Sequence, residues 1–191
     1  MVIGQANVNS RPVWKTNING TIGAMLFAPN QRLKISNYAA NVSCGFVIVL
    51  YQTQPSSVYY ASLFSNANTP GWSTIYTSGN TGKIGRYAYT GNPQYENSNA
   101  VLASPSPMTI LLFNFDAIAG NWELYKNGIS QGYVGYTGMY NSTAADFYLN
   151  YDKQYGGSTL GYVFDVMHFR AKMSAEQISS VNNYLKAKYG L

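Results

Sequence analysis

Apolar positions along this chain recur in two rhythms. Over most of its length they sit in short runs bounded by Gly, Pro, Asn and Ser, the pattern of short strands between turns. Residues 11–19 (RPVWKTNIN) read as a lead-in strand carrying Val13 and Trp14. Residues 24–27 (AMLF) and 32–36 (RLKIS) are short strands around Pro29 and Asn30. The run 43–52 (SCGFVIVLYQ) is the strongest core strand of the first half. Strands follow over 57–64, 72–77, 83–89 and 108–115, separated by turn clusters at 66–71, 78–82 and 90–93. The most polar stretch, 91–100 (GNPQYENSNA), reads as a surface loop. WELYK runs into Asn127-Gly128, a strong hairpin signal, and 131–136 returns from it. Residues 146–151 alternate, and 163–170 form the last strand.

The rhythm changes at Ser174. Ser174 can cap a helix, and Gln177 can reach back to its amide. Ile178, Val181 and Leu185 then share one helical face, and Gly190 suits the position just past the helix end. The pattern predicts an all-β chain: a two-sheet antiparallel β-sandwich of jelly-roll type with one short C-terminal α-helix. With no internal repeat and no linker, residues 1–191 read as a single domain, and the polar residues 1–10 as an N-terminal arm or edge segment.

Composition narrows the function classes. Apolar residues make up 46% and charged residues only 10%, against about 25% in ordinary soluble domains. Polarity comes from Asn, Ser, Thr, Gly and 18 Tyr, which suits a surface that works by hydrogen bonding and stacking. The formal net charge is +5, yet Lys15, Arg32, Lys34, Lys83, Arg86, Lys126 and Lys153 are scattered. The nearest grouping, Arg170, Lys172, Lys186 and Lys188, reads as a solvated helix end, so no specific nucleic-acid partner is expected. Cys44 is the only cysteine, which excludes an intrachain disulfide, and its apolar neighbours mark it as a small buried hydrophobe. Residues 1–12 lack the pattern of a signal peptide. No run approaches the roughly 20 apolar residues of a spanning helix, so no membrane insertion is expected.

Three segments together resemble the concanavalin A-like lectin/glucanase superfamily, in particular laminin-G-like jelly rolls of microbial and phage type. At the end, Val163, Asp165, Val166, Phe169, Met173, Ser174 and Ile178 match a closing strand that leads into a short helix start. In the middle, Trp122, Leu124, Tyr125, Asn127 and Gly128 match a Trp-x-Leu-Tyr-x-Asn-Gly hairpin. At the start, Arg11-Pro12, Asn19-Gly20 and Phe27 match the family's opening. Two departures stand out: Phe27-Ala28-Pro29 replaces an acidic Phe-Asp-Gly, and His168 stands where an apolar residue is usual. The resemblance implies the sandwich fold and places Trp14 and Trp122 in the core.

Candidate chemistry is sparse. Glucanases of that superfamily carry clustered carboxylates on one strand, as retaining hydrolysis requires. Here Glu96, Asp116, Glu123, Asp146, Asp152, Asp165 and Glu176 are spread along the chain, so no catalytic residues are assigned. His168, the only histidine, shares an alternating face with Phe164, Val166 and Arg170 and reads as a hydrogen-bonded, partly buried side chain. Asp146, Asn150, Asp152 and Asn141 could offer oxygen to calcium, the family's common ion, but match no loop motif. No metal or cofactor is expected. Sugars dock on aromatic faces with a few directed polar groups, and Trp72, Tyr76, Arg86, Tyr87, Tyr89, Asn92 and Tyr95 gather around turns as a candidate glycan surface.

Low charge, Asn/Tyr/Gly/Ser richness and the missing signal peptide resemble a bacteriophage or viral surface protein. The leading expectation is a non-enzymatic recognition or decoration module on a virion surface. It binds glycans or other virion proteins within a homo-oligomer or larger symmetric assembly. The alternatives are a purely structural capsid or tail protein, a polysaccharide-degrading enzyme, and an extracellular adhesin.

Overall fold

The computed structural model describes residues 3–4, 13–15, 23–27, 31–38, 43–52, 60–66, 73–78, 82–89, 93–102, 106–116, 118–135, 145–149 and 161–191. Within them the strands are β1 (Ile3–Gly4), β2 (Val13–Lys15), β3 (Ala24–Phe27), β4 (Leu33–Tyr38), β5 (Cys44–Gln52), β6 (Tyr60–Asn66) and β7 (Ser73–Ser78). They continue with β8 (Lys83–Tyr89), β9 (Pro93–Val101), β10 (Thr109–Asp116), β11 (Asn121–Lys126), β12 (Ile129–Gly135), β13 (Ala145–Leu149) and β14 (Gly161–Phe169), and α1 (Ala175–Tyr189) closes the chain. Two seven-stranded antiparallel sheets form, in the orders β1-β4-β13-β6-β7-β8-β9 and β12-β11-β10-β5-β14-β3-β2. The predicted all-β sandwich with a terminal helix is what the chain forms.

Strand β5 shows why the layers stack as they do. Phe46, Ile48 and Leu50 point into the space between the sheets, with Phe27, Leu63, Ile84, Leu111, Phe113, Phe115, Trp122 and Leu124. Val47 and Val49 point the other way and meet Ile110, Leu112, Phe164, Met173, Ile178 and Leu185 beneath the helix. The second sheet is therefore buried on both faces, and this explains why β5 and β10 read as unbroken apolar runs rather than as alternation. Burying a large apolar side chain contributes about 1.5–3 kcal/mol, so the central strands dominate the stability.

The helix is fixed at both ends. Ser174 Oγ accepts from Gln177 N while the Gln177 side chain accepts from Ser174 N, closing the capping box. Gly190 ends the helix at φ 67°, a left-handed conformation that suits glycine. Upstream, buried Asn114 holds the link from β14 to α1 with both ends of its amide. Met173 N donates to its Oδ1 at 2.8 Å, and its Nδ2 donates to Met173 O at 3.1 Å. At the far end of the helix, Lys188 Nζ and Tyr189 Oη both donate to Asp165 Oδ2, at 2.8 and 2.7 Å.

This last cluster makes stability sensitive to alkali. The Asp165 hydrogen bond raises the Lys188 pKa, and burial followed by the Asp165 hydrogen bond pushes Tyr189 up to about 12 from 10.0. A folded-state pKa above the unfolded one stabilises fully below the unfolded value and is lost as pH rises through the folded one. Helix anchoring should therefore weaken between pH 10 and about 12. Asp165→Asn should flatten that part of a stability–pH curve measured by urea titration. A wild-type curve flat across this window would contradict the assignment.

Three sequence expectations are corrected. Residues 93–101 are not a surface loop but β9, an edge strand of the first sheet. Its polar side chains hide a strand held by backbone pairing to β8. Trp14 is not core: it is 58% exposed, because β2 is the outermost strand of the second sheet. His168 does not share a face with Phe164. A register shift between Val163 and Asp165 turns the strand, so Phe164 lies under the helix while the His168 ring stacks on Phe46 at 4.6 Å. Burial and then Arg170 lower the His168 pKa, which favours the neutral ring. Trp122 and Cys44 are buried in the inter-sheet core, as read from the sequence.

Candidate functional site

The two sheets present different outer faces. Helix α1 packs on the second sheet. Among the described residues no helix covers the outer face of the first. Leu33, Leu149 and Ile84 turn inward to the core, so strand alternation assigns their neighbours along each strand to the outer face.

Register then builds a continuous row across that face. Gly4 pairs with Lys34, Lys34 with Tyr148, Tyr148 with Ser65, Ser65 with Thr74, Thr74 with Tyr87 and Tyr87 with Tyr95. Strands lie about 4.8 Å apart, so the span from Lys34 to Tyr95 is about 24 Å. Tyr76 opposite Gly85, and Tyr89 opposite Pro93, take positions of the same parity in the neighbouring rows. Four of the sequence-derived candidates, Tyr76, Tyr87, Tyr89 and Tyr95, thus share one face by register. Arg86 takes the alternate parity, between Ile75 and Glu96. Trp72 and Asn92 lie outside the described residues.

The row also contains residues that the sequence did not single out. Tyr148 and Lys34 are partly buried, and the guanidinium of Arg32 sits over the Tyr148 ring, 5.6 Å from its centroid. These residues are far in sequence from 72–95. Only the placement of β13 and β6 between β4 and β7 brings them into line.

Four of the described acids serve the opposite layer, while Glu96 on β9 and Asp146 on β13 belong to the first sheet. Asp116 receives the amides of Ile118 and Ala119 and the ammonium of Lys172. The Ala119 amide and Lys172 hold its pKa below the usual carboxylate range. Asp165 anchors the helix end, buried Glu123 accepts from Ser130 Oγ at 2.7 Å, and Glu176 accepts from Ser174 Oγ. Among the described residues no three His, Cys, Asp or Glu side chains gather as metal ligands. Of the residues considered for calcium, Asp146 is on β13, and Asn141, Asn150 and Asp152 lie outside the described residues.

The sequence matches no protein-family model, and no curated relative matches it. The fold has solved counterparts. Domain 4 of AbnA, an extracellular GH43 arabinanase of Geobacillus stearothermophilus solved with arabinotriose, is similar at TM-score 0.70 and 13% identity, over 95% of this chain and 87% of that one. The CBM40 of a Ruminococcus gnavus IT-sialidase, bound to α2,3-sialyllactose, is similar at TM-score 0.60 and 15% identity, over 75% of this chain and 84% of that one. The binding domain of botulinum neurotoxin serotype G is similar at TM-score 0.66 and 12% identity, over 97% of this chain but 47% of that one. At such identities the likeness is one of fold, the two-sheet antiparallel β-sandwich.

Proposed function

We propose that this chain is a non-enzymatic recognition module of concanavalin A-like, laminin-G-like type that binds glycans on the outer face of its first sheet. The observation that carries the reading is the row from Lys34 through Tyr148, Ser65 and Thr74 to Tyr87 and Tyr95. Tyrosine offers a flat apolar ring with a polar tip on which a saccharide can lie, whereas Ser65 between the rings is only 3% exposed. Likeness to domains solved with arabinotriose and sialyllactose supports the reading. The structural duties of Asp116, Glu123, Asp165 and Glu176 favour binding over hydrolysis. In this reading 1–191 is one module displayed on a phage or virus particle, where a symmetric array multiplies weak contacts.

Binding to a glycan array tests this. Tyr87→Ala and Tyr95→Ala should each weaken the strongest response about tenfold, equivalent to about 1.4 kcal/mol. Wild-type affinity in both variants would remove the row from the site. The exposed Val13–Trp14 edge favours a second reading, a structural capsid or tail protein that packs on its neighbours. In that case Trp14→Ala would impair particle assembly, and no glycan would bind.

A further inference from the structure

We infer that Asn127 is a concealed deamidation site: the folded hairpin withholds it, and opening of the tip releases it to form an isoaspartate that keeps the tip from closing again. Asparagine is among the chemically labile residues. A following glycine, with no Cβ, presents its carboxamide with the least hindered backbone nitrogen. In the reaction Gly128 N attacks Asn127 Cγ. The Gly128 N–H proton leaves with the side-chain nitrogen as ammonia, and a cyclic imide forms. Water then opens the imide at one carbonyl or the other, giving aspartate or isoaspartate.

The turn forbids the first step. Ring closure needs Gly128 N to eclipse Cβ about the Asn127 Cα–C bond. Asn127 has φ 51° and Gly128 has φ 84°, in a two-residue turn flanked by the Lys126–Ile129 pair, which is the type I′ arrangement. In the left-handed region ψ is about +47°, which puts Gly128 N almost directly opposite Cβ. The bond must turn through nearly half a circle before the reacting atoms meet. Two hydrogen bonds resist that rotation: Asn127 N donates to Ile110 O at 2.9 Å, and Asn127 Oδ1 accepts from Ile110 N at 2.8 Å. The Asn182 side chain on α1 packs directly against Gly128 and resists it from the other side. Access of water is not the barrier, because Gly128 is exposed and Ile129 is 68% exposed.

The two products differ in consequence. Aspartate at 127 leaves the backbone unchanged, and its carboxylate still accepts from Ile110 N. Isoaspartate routes the main chain through the side-chain carbon and adds a backbone atom to a turn that joins paired strands. Gly128 is then carried off the spot where Asn182 leaves no room for a Cβ.

The test holds the full chain in mildly alkaline buffer, once folded and once unfolded in urea. Conversion at Asn127 is followed by mass spectrometry of its peptides, and isoaspartate is counted by enzymatic methyl transfer. A reaction that needs an open state runs at the unfolded rate multiplied by the open fraction. Asn127 should therefore convert about a hundredfold or more faster in urea than in the folded chain. Asn19-Gly20, the same dipeptide elsewhere in the sequence, gives the reference rate in urea. Protein carrying isoaspartate at 127 alone should unfold at a lower urea midpoint than the unmodified chain, whereas Asn127→Asp should stay close to it. Similar rates with and without urea would overturn the protection. Conversion of Asn127 in urea far slower than that of Asn19 would also overturn it, because the resistance would then not come from the turn. A wild-type midpoint in the isoaspartate form, or an equally low one in Asn127→Asp, would overturn the claim that isoaspartate holds the tip open.

Discussion

Asn114→Ala is expected to lower stability by about 4 kcal/mol, since each buried partner left unsatisfied costs about 1–3 kcal/mol and the loss is doubled here. Asn114 is only 2% exposed, and its amide satisfies both the N–H and the carbonyl of Met173. Water does not readily replace it, because Met173 itself is 3% exposed and packs under the helix. Asn114→Asp should be nearly as damaging at neutral pH, because a carboxylate accepts from Met173 N but has nothing to donate to Met173 O. Urea unfolding reads this as a lower midpoint at unchanged slope. The nearby Lys172–Asp116 pair is 43% and 16% exposed and is a useful contrast. Removing it through Lys172→Ala should cost at most about 1 kcal/mol. If Asn114→Ala were as mild as Lys172→Ala, the clamp would not be what docks the helix.

Gly128→Ala is expected to cost about 2–4 kcal/mol, combining left-handed backbone strain with overpacking. Gly128 sits at φ 84° at the hairpin tip, and a methyl group there would lie 2.7 Å from Asn182 Cγ. The companion Asn127 makes the tip rigid: its N–H donates to Ile110 O, and its Oδ1 accepts from Ile110 N. Asn182 is buried on α1, and its Oδ1 has no hydrogen-bond partner among the described residues. Asn182→Ala alone should therefore stay within about 1 kcal/mol of wild type. The pair of substitutions together should cost less than Gly128→Ala alone, because only the backbone strain of about 1–2 kcal/mol is left. Additive effects would mean that the hairpin tip and the helix are not in contact.

Much of the fold is legible in the sequence, and the failures have specific physical causes. The core strands announce themselves by unbroken apolar runs, the hairpin by Asn127-Gly128, and the helix by Ser174, Gln177 and Gly190. Strand β9 was hidden because an edge strand is held by its backbone and can carry polar side chains throughout. Trp14 lies at an edge rather than in the core because resemblance assigns it to a strand but does not say where in a sheet that strand falls. The face of His168 departs from simple alternation because one bulge in β14 reverses the parity that alternation assumes. An asparagine inside TILLFNF was a readable signal, since a buried amide in an apolar strand needs a partner. Its partner, Met173, could not be read, because it lies 59 residues away.

The candidate site was half legible for the same reason. Tyr76, Tyr87, Tyr89 and Tyr95 are close in sequence and fall on adjacent hairpin strands. Arg32, Lys34 and Tyr148 come from β4, the residue before it, and β13, and strand order alone carries them into the row. Register also separates Arg86 from the tyrosines beside it in sequence, since successive residues alternate sides.

The central claim is that recognition happens on the first sheet's outer face while the second sheet and helix serve as scaffold. An NMR titration of the backbone amides with the strongest glycan from the array tests it most directly. The shifts should move along β4, β13, β6, β7, β8 and β9, with Lys34, Tyr148, Thr74, Tyr87 and Tyr95 prominent, and stay still in β5, β10, β14 and α1. Changes concentrated in the helix layer, or none with any glycan, would contradict it.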